Sequence, residues 1–394
     1  MEYKIINKIY KIAAVISLLV MAVACGKKEE PDVRPEAYKR VTVIYAVNRG
    51  SLASDFIEDC NEIFKAMPQV DLATNTLLLY KTDSETETGL YEISKVNGDY
   101  DWKRLKSYNR TATSTEPGRM AEVLNDAVNA YKADSRTLFF WGHGSAWTPG
   151  DSDHQVKAPG RSDSPACYGY GGEYGKDKIW NWIDIDELAE AIPAGSFDTI
   201  WFDCCYMASV EVAYELRDKA RWFVAYPTEV WDKGLNYDAV LPLVMREKPN
   251  LELAASTFFK SYNDAFDPVT VTVMDLSKIE PLASAVNAFF KAYPETPAVT
   301  NDIVNYRRQR GTPYFDMMQL LRRRSDNAAA DEFRALIAAI DNFIVIHLES
   351  PKNFSGSQWI DPLLCGVSMH NFVDDESDEN AYYKTLSWHR RVTE

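Results

Sequence analysis

The stretch Ser196-Phe-Asp-Thr-Ile-Trp-Phe-Asp-Cys-Cys-Tyr-Met207 decides the fold that this sequence predicts. Residues 197–202 are mostly apolar, β-branched or aromatic, follow a turn and precede a helical pattern, so they predict a buried strand. The strand ends in Asp203, Cys204 and Cys205, which places an acid and two thiols where a strand passes into a helix. Ligand sites of α/β sheets lie at such strand ends, so we expect a functional site here.

A second predicted strand has the same form. Residues 135–141 are largely apolar and run directly into His143 and Gly144. If the two strands are neighbours, an imidazole lies beside a thiol, which is the arrangement for nucleophilic cysteine catalysis. Cys205 would then be the nucleophile, favoured by the N-terminus of the following helix, and His143 the acid and base. Gly144 allows close backbone approach, so its N–H could point at the developing oxyanion.

Strands and helices alternate along the rest of the chain. This alternation predicts an α/β fold with a mostly parallel central sheet covered by helices on both faces. Apolar runs and β-branched residues predict strands at 41–47, 76–80, 222–226, 270–275 and 364–369, and a hairpin at 90–108. Helical spacing predicts helices at 52–66, 120–131, 182–192, 208–218, 251–265, 276–293, 315–324 and 331–347. The prolines at 294 and 297 suggest a C-terminal subdomain over residues 294–394.

The composition is that of a globular protein. The chain has 394 residues, of which 46% are hydrophobic and 26% charged. The formal net charge is -15, and no basic tract occurs beyond the first residues, so we expect no nucleic-acid partner. The oligomeric state is not predicted by any of these features.

The first residues predict a targeting segment. Lysines precede an apolar run at 12–24, which is too short to cross a bilayer comfortably. The small residues of Ala22-Val-Ala-Cys25 resemble a bacterial lipobox, in which the cysteine is lipidated and begins the mature protein. We therefore expect a lipoprotein signal peptide at 1–24, a polar tether at 25–39 and a location in the cell envelope, anchored by lipid and facing the periplasm or the cell surface. The alternative is a plain secretory signal with an incidental Cys25.

The segment 148–178 joins the histidine strand to the cysteine strand. It is rich in Gly, Asp, Ser and Pro and has no apolar periodicity, and a loop of this length is usually functional or disordered. It is a candidate activation loop. Four basic residues in it are candidates for self-cleavage: Lys157, Arg161, Lys176 and Lys178. The alternative is a surface insertion that is never cut.

Two motifs taken together resemble a known family. Trp141-Gly-His-Gly-Ser-Ala-Trp147 and Asp203-Cys-Cys-Tyr-Met207 are similar to the paired motifs of the clostripain-like cysteine peptidases, which belong to the caspase, legumain and gingipain group. The register of that resemblance selects Cys205 as the nucleophile, and Glu211 fills the family's glutamate position. Tyr226 departs from the family, which has a small polar residue there.

The resemblance implies a caspase-like three-layer sandwich over residues 40–394. It also implies an endopeptidase that acts on protein or peptide substrates, with Asp203 lining the pocket for a substrate Arg or Lys. The alternative for Asp203 is a cap on the following helix. No cofactor is implied, although some relatives use Ca²⁺, and no metal-ligand spacing occurs in the chain. The alternative function is a catalytically inactive lipoprotein of this fold that binds peptide or glycan.

Overall fold

The structure is a computed structural model. It describes residues 34–84, 87–109, 112–148, 169–174, 180–262, 267–299, 302–307, 313–327, 329–354, 356–360, 363–372 and 378–394. Residues 37–394 form one compact unit. Within the described ranges, no helix is both long enough and apolar enough to cross a membrane. The predicted signal peptide, Cys25 and most of the predicted tether lie outside these ranges.

A nine-stranded sheet organises the compact unit. Its strand order is β13-β11-β10-β9-β5-β1-β2-β3-β4. The five central strands from β10 to β2 are parallel, and antiparallel strands extend the sheet on both sides. The strands are β1 (Tyr38–Ala46), β2 (Asn75–Thr82), β3 (Thr88–Val96), β4 (Asp99–Tyr108), β5 (Ala133–Trp141), β6 (His143–Gly144), β7 (Tyr170–Tyr174), β8 (Trp180–Ile183), β9 (Thr199–Asp203), β10 (Trp222–Ala225), β11 (Thr270–Asp275), β12 (Phe315–Asp316), β13 (Ile344–Glu349) and β14 (Ser368–Met369).

Helices cover both faces of the sheet. Side chains of β5 alternate between the two faces, with Leu138 and Phe140 in one apolar core and Phe139 and Trp141 in the other. Eleven α-helices occur in the described ranges: α1 (Ala53–Ala66), α2 (Pro117–Ala130), α3 (Ile185–Ala191), α4 (Val210–Glu215), α5 (Tyr237–Val244), α6 (Leu251–Ser261), α7 (Ile279–Ala292), α8 (Met317–Arg324), α9 (Asp331–Phe343), α10 (Asp378–Tyr383) and α11 (Ser387–Thr393). The predicted three-layer α/β fold is therefore confirmed.

Two predicted helices are wrong at one end, where a strand longer than the two-residue β12 takes their place. The helix predicted at 331–347 stops at Phe343, and Ile344–Glu349 is strand β13, paired antiparallel with β11. The helix predicted at 182–192 begins only at Ile185, because Trp180–Ile183 is strand β8. In both places pairing with a neighbouring strand outweighs a helical pattern that local sequence alone supports.

Candidate active site

The histidine lies just beyond the carboxyl end of β5. His143 and Gly144 form β6, which pairs with β7, and β7 pairs with β8 in a separate three-stranded sheet. The hydroxyl oxygen of Ser51, in the loop after β1, lies 2.9 Å from His143 Nε2. The ring of Trp182 on β8 is 6.1 Å from the imidazole, centroid to centroid. The small sheet and the loop after β1 therefore hold the imidazole from two sides.

The cysteine lies beyond the carboxyl end of the neighbouring strand. β9 pairs in parallel with β5, and Trp141 stands opposite Asp203 in the register. Cys204 is fully buried, and its Sγ donates to the carbonyl oxygen of Phe140 at 3.4 Å. Cys205 is only half-buried, and its Sγ accepts the N–H of Val230 at 3.4 Å. The thiol of Cys205 is therefore the more exposed of the two, and its role as nucleophile stays a prediction.

Gly144 joins the two strand ends. A Cβ added there would lie 2.5 Å from the carbonyl oxygen of Cys205 and 2.8 Å from Cβ of Cys204. Real Cβ atoms do not approach other atoms so closely, so the site accepts only glycine without a shift of the backbone. The residue next to His143 therefore touches the backbone of Cys205, and the structure places the two predicted catalytic residues beyond adjacent strand ends.

The cysteine turn is tightly held. Tyr206 has a left-handed backbone with φ of 65°, a conformation that non-glycine residues rarely adopt. Its N–H donates to the carbonyl oxygen of Thr228 at 2.9 Å, and the N–H of Ala208 donates to that of Tyr226 at 3.0 Å. These bonds tie the turn that carries Cys205 to the chain that follows β10.

Glu211, at the start of α4, lies six residues after Cys205 and accepts three hydrogen bonds. It is fully buried, and its carboxylate accepts the hydroxyl of Ser209, the backbone N–H of His370 at 2.8 Å and the hydroxyl of Tyr383 at 3.3 Å. Burial raises the pKa of this carboxyl. Glu211 therefore connects the start of α4 to the chain after β14.

Burial affects the protonation of both His143 and Cys205. It raises the pKa of the Cys205 thiol to about 12, against a smaller lowering by the hydrogen bond from Val230. Burial also lowers the pKa of His143 below its ordinary value. Both shifts favour the uncharged forms, which are the thiol of Cys205 and the neutral imidazole of His143.

Asp203 is buried on the side of β9 that faces α5 and α6. It is 4% exposed, and its carboxylate accepts the N–H of Leu235 at 3.1 Å and the hydroxyls of Tyr237 at 3.1 Å and Tyr226 at 3.4 Å. Burial raises its pKa to about 6. Gly234 crosses directly over it, since an added Cβ would lie 3.0 Å from the carboxylate. The role of Asp203 in a substrate pocket stays a prediction.

Ser51, Trp182 and Val230 contact the pair but were not anticipated from the sequence. Ser51 lies in the loop after β1, which is the neighbour of β5, so the sheet order would have pointed to it. The four candidate cleavage residues Lys157, Arg161, Lys176 and Lys178 lie outside the described residues. Among the residues that are described, no group of three His, Cys, Asp or Glu side chains is placed to hold a metal ion.

Known proteins resemble this chain in sequence and in fold. The sequence model of the clostripain family matches residues 44–383. Clostripain of Hathewaya histolytica is 23% identical over 264 residues, which are 59% of this chain and 47% of that protein. The chain thus spans about half the length of this curated relative.

Two solved structures cover nearly the whole chain. A secreted C11 cysteine protease of Bacteroides thetaiotaomicron, in complex with an irreversible peptide inhibitor, has a TM-score of 0.75 and 25% identity, over 90% of this chain and 99% of that one. An inactive zymogen C11 protease of Parabacteroides distasonis has a TM-score of 0.75 and 21% identity, over 92% of this chain and 100% of that one, and it supports the fold alone. With the family match spanning most of the sequence, and with His143 and Cys205 brought together at adjacent strand ends, the chain belongs to the clostripain family of cysteine peptidases.

Proposed function

We propose that this chain is an exported cysteine endopeptidase in which His143 and Cys205 form the catalytic pair. The observation that supports this most directly is the contact of Gly144 with the backbone of Cys205, because it fixes the imidazole strand against the thiol strand. An imidazole and a thiol held together are what nucleophilic cysteine catalysis needs. This family's chemistry requires no cofactor.

In the proposed reaction the neutral pair ionises only when a substrate is bound. His143 takes the thiol proton as the sulfur attacks the carbonyl carbon of the scissile bond, and the backbone N–H of Gly144 donates to the oxyanion. The imidazolium then gives its proton to the leaving amine, which departs and leaves a thioester. A water molecule then gives a proton to His143 as its oxygen attacks the thioester carbon. The C–S bond breaks, the sulfur takes that proton back from His143, and the carboxylic acid product leaves.

We propose that the enzyme cuts after Arg or Lys, with the Asp203 carboxylate as the acidic group of the pocket. Asp203 lies two residues before Cys205, at the end of strand β9. Its oxygens already accept three bonds from the protein. The competing role is a purely internal one, in which Asp203 anchors the chain at residues 234–237.

Fluorogenic peptides that differ only at P1 test the proposal. We expect the wild type to release the fluorophore after Arg or Lys and not after Asp or Asn, and Cys205→Ala to release none. Cleavage after uncharged residues in preference to Arg and Lys would contradict the proposed role of Asp203, but it would still support the proposed peptidase activity. Repeating the assay with EDTA shows whether Ca²⁺ is needed.

A second candidate function is a peptide- or glycan-binding lipoprotein without turnover. The observation that favours it is Tyr226, which replaces a small residue and is fully buried beside Asp203, with its hydroxyl 3.1 Å from Nε1 of Trp201. This side chain fills space that a substrate side chain could use. Absence of cleavage for every peptide of the panel, by a folded wild type, would favour this candidate.

We also propose that the protein is anchored in the cell envelope through lipid on Cys25. The support is the sequence Ala22-Val-Ala-Cys25 after an apolar run. An anchored peptidase would act on protein or peptide in the periplasm or at the cell surface.

A further inference from the structure

A cavity with no role in the proposed reaction opens between α7, α8, α11 and the chain after β14. We call it the α7–α11 cavity; its volume is about 320 Å³. Ligand pockets of proteins span roughly 300–1,000 Å³, so this one suits a small molecule. Apolar side chains form its floor, among them Phe290, Leu321, Met369 and Val392.

One wall of the α7–α11 cavity is made of aromatic rings that hold one another. Phe372 and Tyr383 stack with 5.6 Å between centroids and 20° between planes. His389 meets Phe372 edge-on at 4.7 Å, and His370 meets Tyr383 edge-on at 4.6 Å. Rings in mutual contact keep a fixed orientation, so the wall offers a preformed surface for a planar apolar group.

The charge of the lining contrasts with the charge of the chain. Two cationic side chains, Lys291 and Arg324, line the α7–α11 cavity beside the imidazoles of His370 and His389, and its described lining contains no Asp or Glu. The chain as a whole carries a formal net charge of -15. Lys291 is engaged, because its Nζ lies 3.2 Å from the backbone oxygen of Glu394. The basic lining therefore favours an anion.

Arg324 is the cation best placed for that anion. Its Cζ lies 3.9 Å from the centroid of Phe290, and its Nη2 lies 3.5 Å from Oγ1 of Thr296. No carboxylate in the described part of the chain lies within ion-pair distance of it, whereas its neighbour Arg323 binds Asp302 at 2.7 Å. Burial lowers the pKa of the Arg324 guanidinium. A bound carboxylate would compensate for that lost hydration.

We propose that the α7–α11 cavity binds a small aromatic carboxylate. The carboxylate would accept two parallel N–H bonds from Arg324, which is the geometry that a guanidinium offers best. The aromatic body would lie against the wall of Phe372 and Tyr383 and over the apolar floor. This site is separate from the catalytic pair, so it does not depend on the proposed peptidase activity.

Calorimetric titration of the full protein with 2-naphthoate and with 2-naphthamide tests the proposal. The two probes have the same aromatic body and differ only in charge. We expect the wild type to bind the carboxylate about tenfold more tightly than the amide, and Arg324→Gln to remove that preference. Arg322→Gln is the matched control, because Arg322 is exposed on the same helix and does not line the cavity.

Equal binding of the two probes by the wild type, or no binding of either, would overturn the proposal. A competing occupant is the chain's own acidic run Asp374-Asp-Glu376, which follows Phe372 and lies outside the described residues. If that run occupies the cavity, 2-naphthoate will bind only after Asp374→Asn, Asp375→Asn and Glu376→Gln are combined, and the proposal fails. Thermal unfolding of each variant confirms that it is folded.

Discussion

At the scale of single residues, Gly144 is where the two strand ends meet most closely. Gly144→Ala should lower kcat/KM about 100-fold. The added Cβ would lie 2.5 Å from the carbonyl oxygen of Cys205, so the carbonyl would have to move, and the thiol would be misplaced with it. Steady-state hydrolysis of the preferred fluorogenic peptide measures this.

Gly118→Ala is the control for the same chemical change. Gly118 lies in α2, and an added Cβ there meets no atom within 4 Å. The activity of Gly118→Ala should equal that of the wild type. Full activity of Gly144→Ala would show that the contact between the two strand ends is not needed for catalysis.

The adjacent cysteines allow a second residue-scale prediction. Cys205→Ala should abolish hydrolysis and labelling by iodoacetamide, because it removes the half-buried thiol. Cys204→Ala should keep most of the activity and lose about 1 kcal/mol of unfolding free energy, because Cys204 only packs and donates to Phe140. An active Cys205→Ala with an inactive Cys204→Ala would reverse the assignment.

The positions of residues that lie at or just after the end of a strand could be predicted from the sequence. His143, Gly144, Asp203 and Cys205 each stand directly after or at the end of an apolar strand, so their meeting needs only that the two strands be neighbours. The hydrogen bonds that Asp203 receives could not be predicted in the same way. They come from residues more than twenty positions away, and their approach depends on how the chain after β10 folds back.

At the scale of elements, α1 carries a buried acid that should make stability depend on pH. Asp59 is 3% exposed and accepts Nε1–H of Trp141 at 2.6 Å, and burial raises its pKa to about 8. Because the folded chain holds this proton more tightly than the unfolded chain, the free energy of unfolding should fall as the pH rises from about 4 to about 8.

Asp59→Asn should flatten that pH dependence. Asparagine keeps an acceptor for Trp141 but cannot ionise, so between pH 5 and pH 8.5 the variant should lose less unfolding free energy than the wild type, by on the order of 2 kcal/mol. Urea unfolding at several pH values measures it. Glu58→Gln, at an exposed position of the same helix, serves as control, and an unchanged slope in Asp59→Asn would refute the assignment.

Elements that carry strong local patterns could be predicted, and those that depend on distant pairing could not. The central strands are apolar runs, and their bounds differ from prediction by a few residues. By contrast, Ile344–Glu349 continues a helical pattern in sequence and becomes a strand only because β11 offers an open side to pair with. The short strand β7, with two glycines, likewise gains its form from β6 and β8.

At the scale of the whole molecule, we expect the chain to cut itself between the histidine and cysteine strands. If the pocket prefers basic residues, Lys157, Arg161, Lys176 or Lys178 would be a substrate position. Intact-mass measurement should show two fragments that meet at one of these residues in the wild type and a single chain in Cys205→Ala. A single uncut chain with full activity would refute this prediction.

Export gives a second prediction at this scale. Cells that receive an alkyne-bearing fatty acid should label the wild type and not Cys25→Ala, because lipid would be attached to that thiol. Multiple acyl chains are implied, since one chain gives only marginal membrane binding. Equal labelling of the two proteins would contradict lipidation of Cys25 and would favour the alternative of a plain secretory signal.

The order of the strands has a consequence for any cut between β5 and β9. On one side of the cut lie β5, β1, β2, β3 and β4, and on the other lie β9, β10, β11 and β13. Pulled apart, each part would display a bare row of backbone donors and acceptors along a strand that is apolar on both faces, which is the kind of edge on which foreign strands assemble. The two fragments should therefore stay soluble only while they are bound to each other. A cleaved molecule should be found either as a tight complex of both fragments or as a precipitate, and neither fragment should be soluble alone.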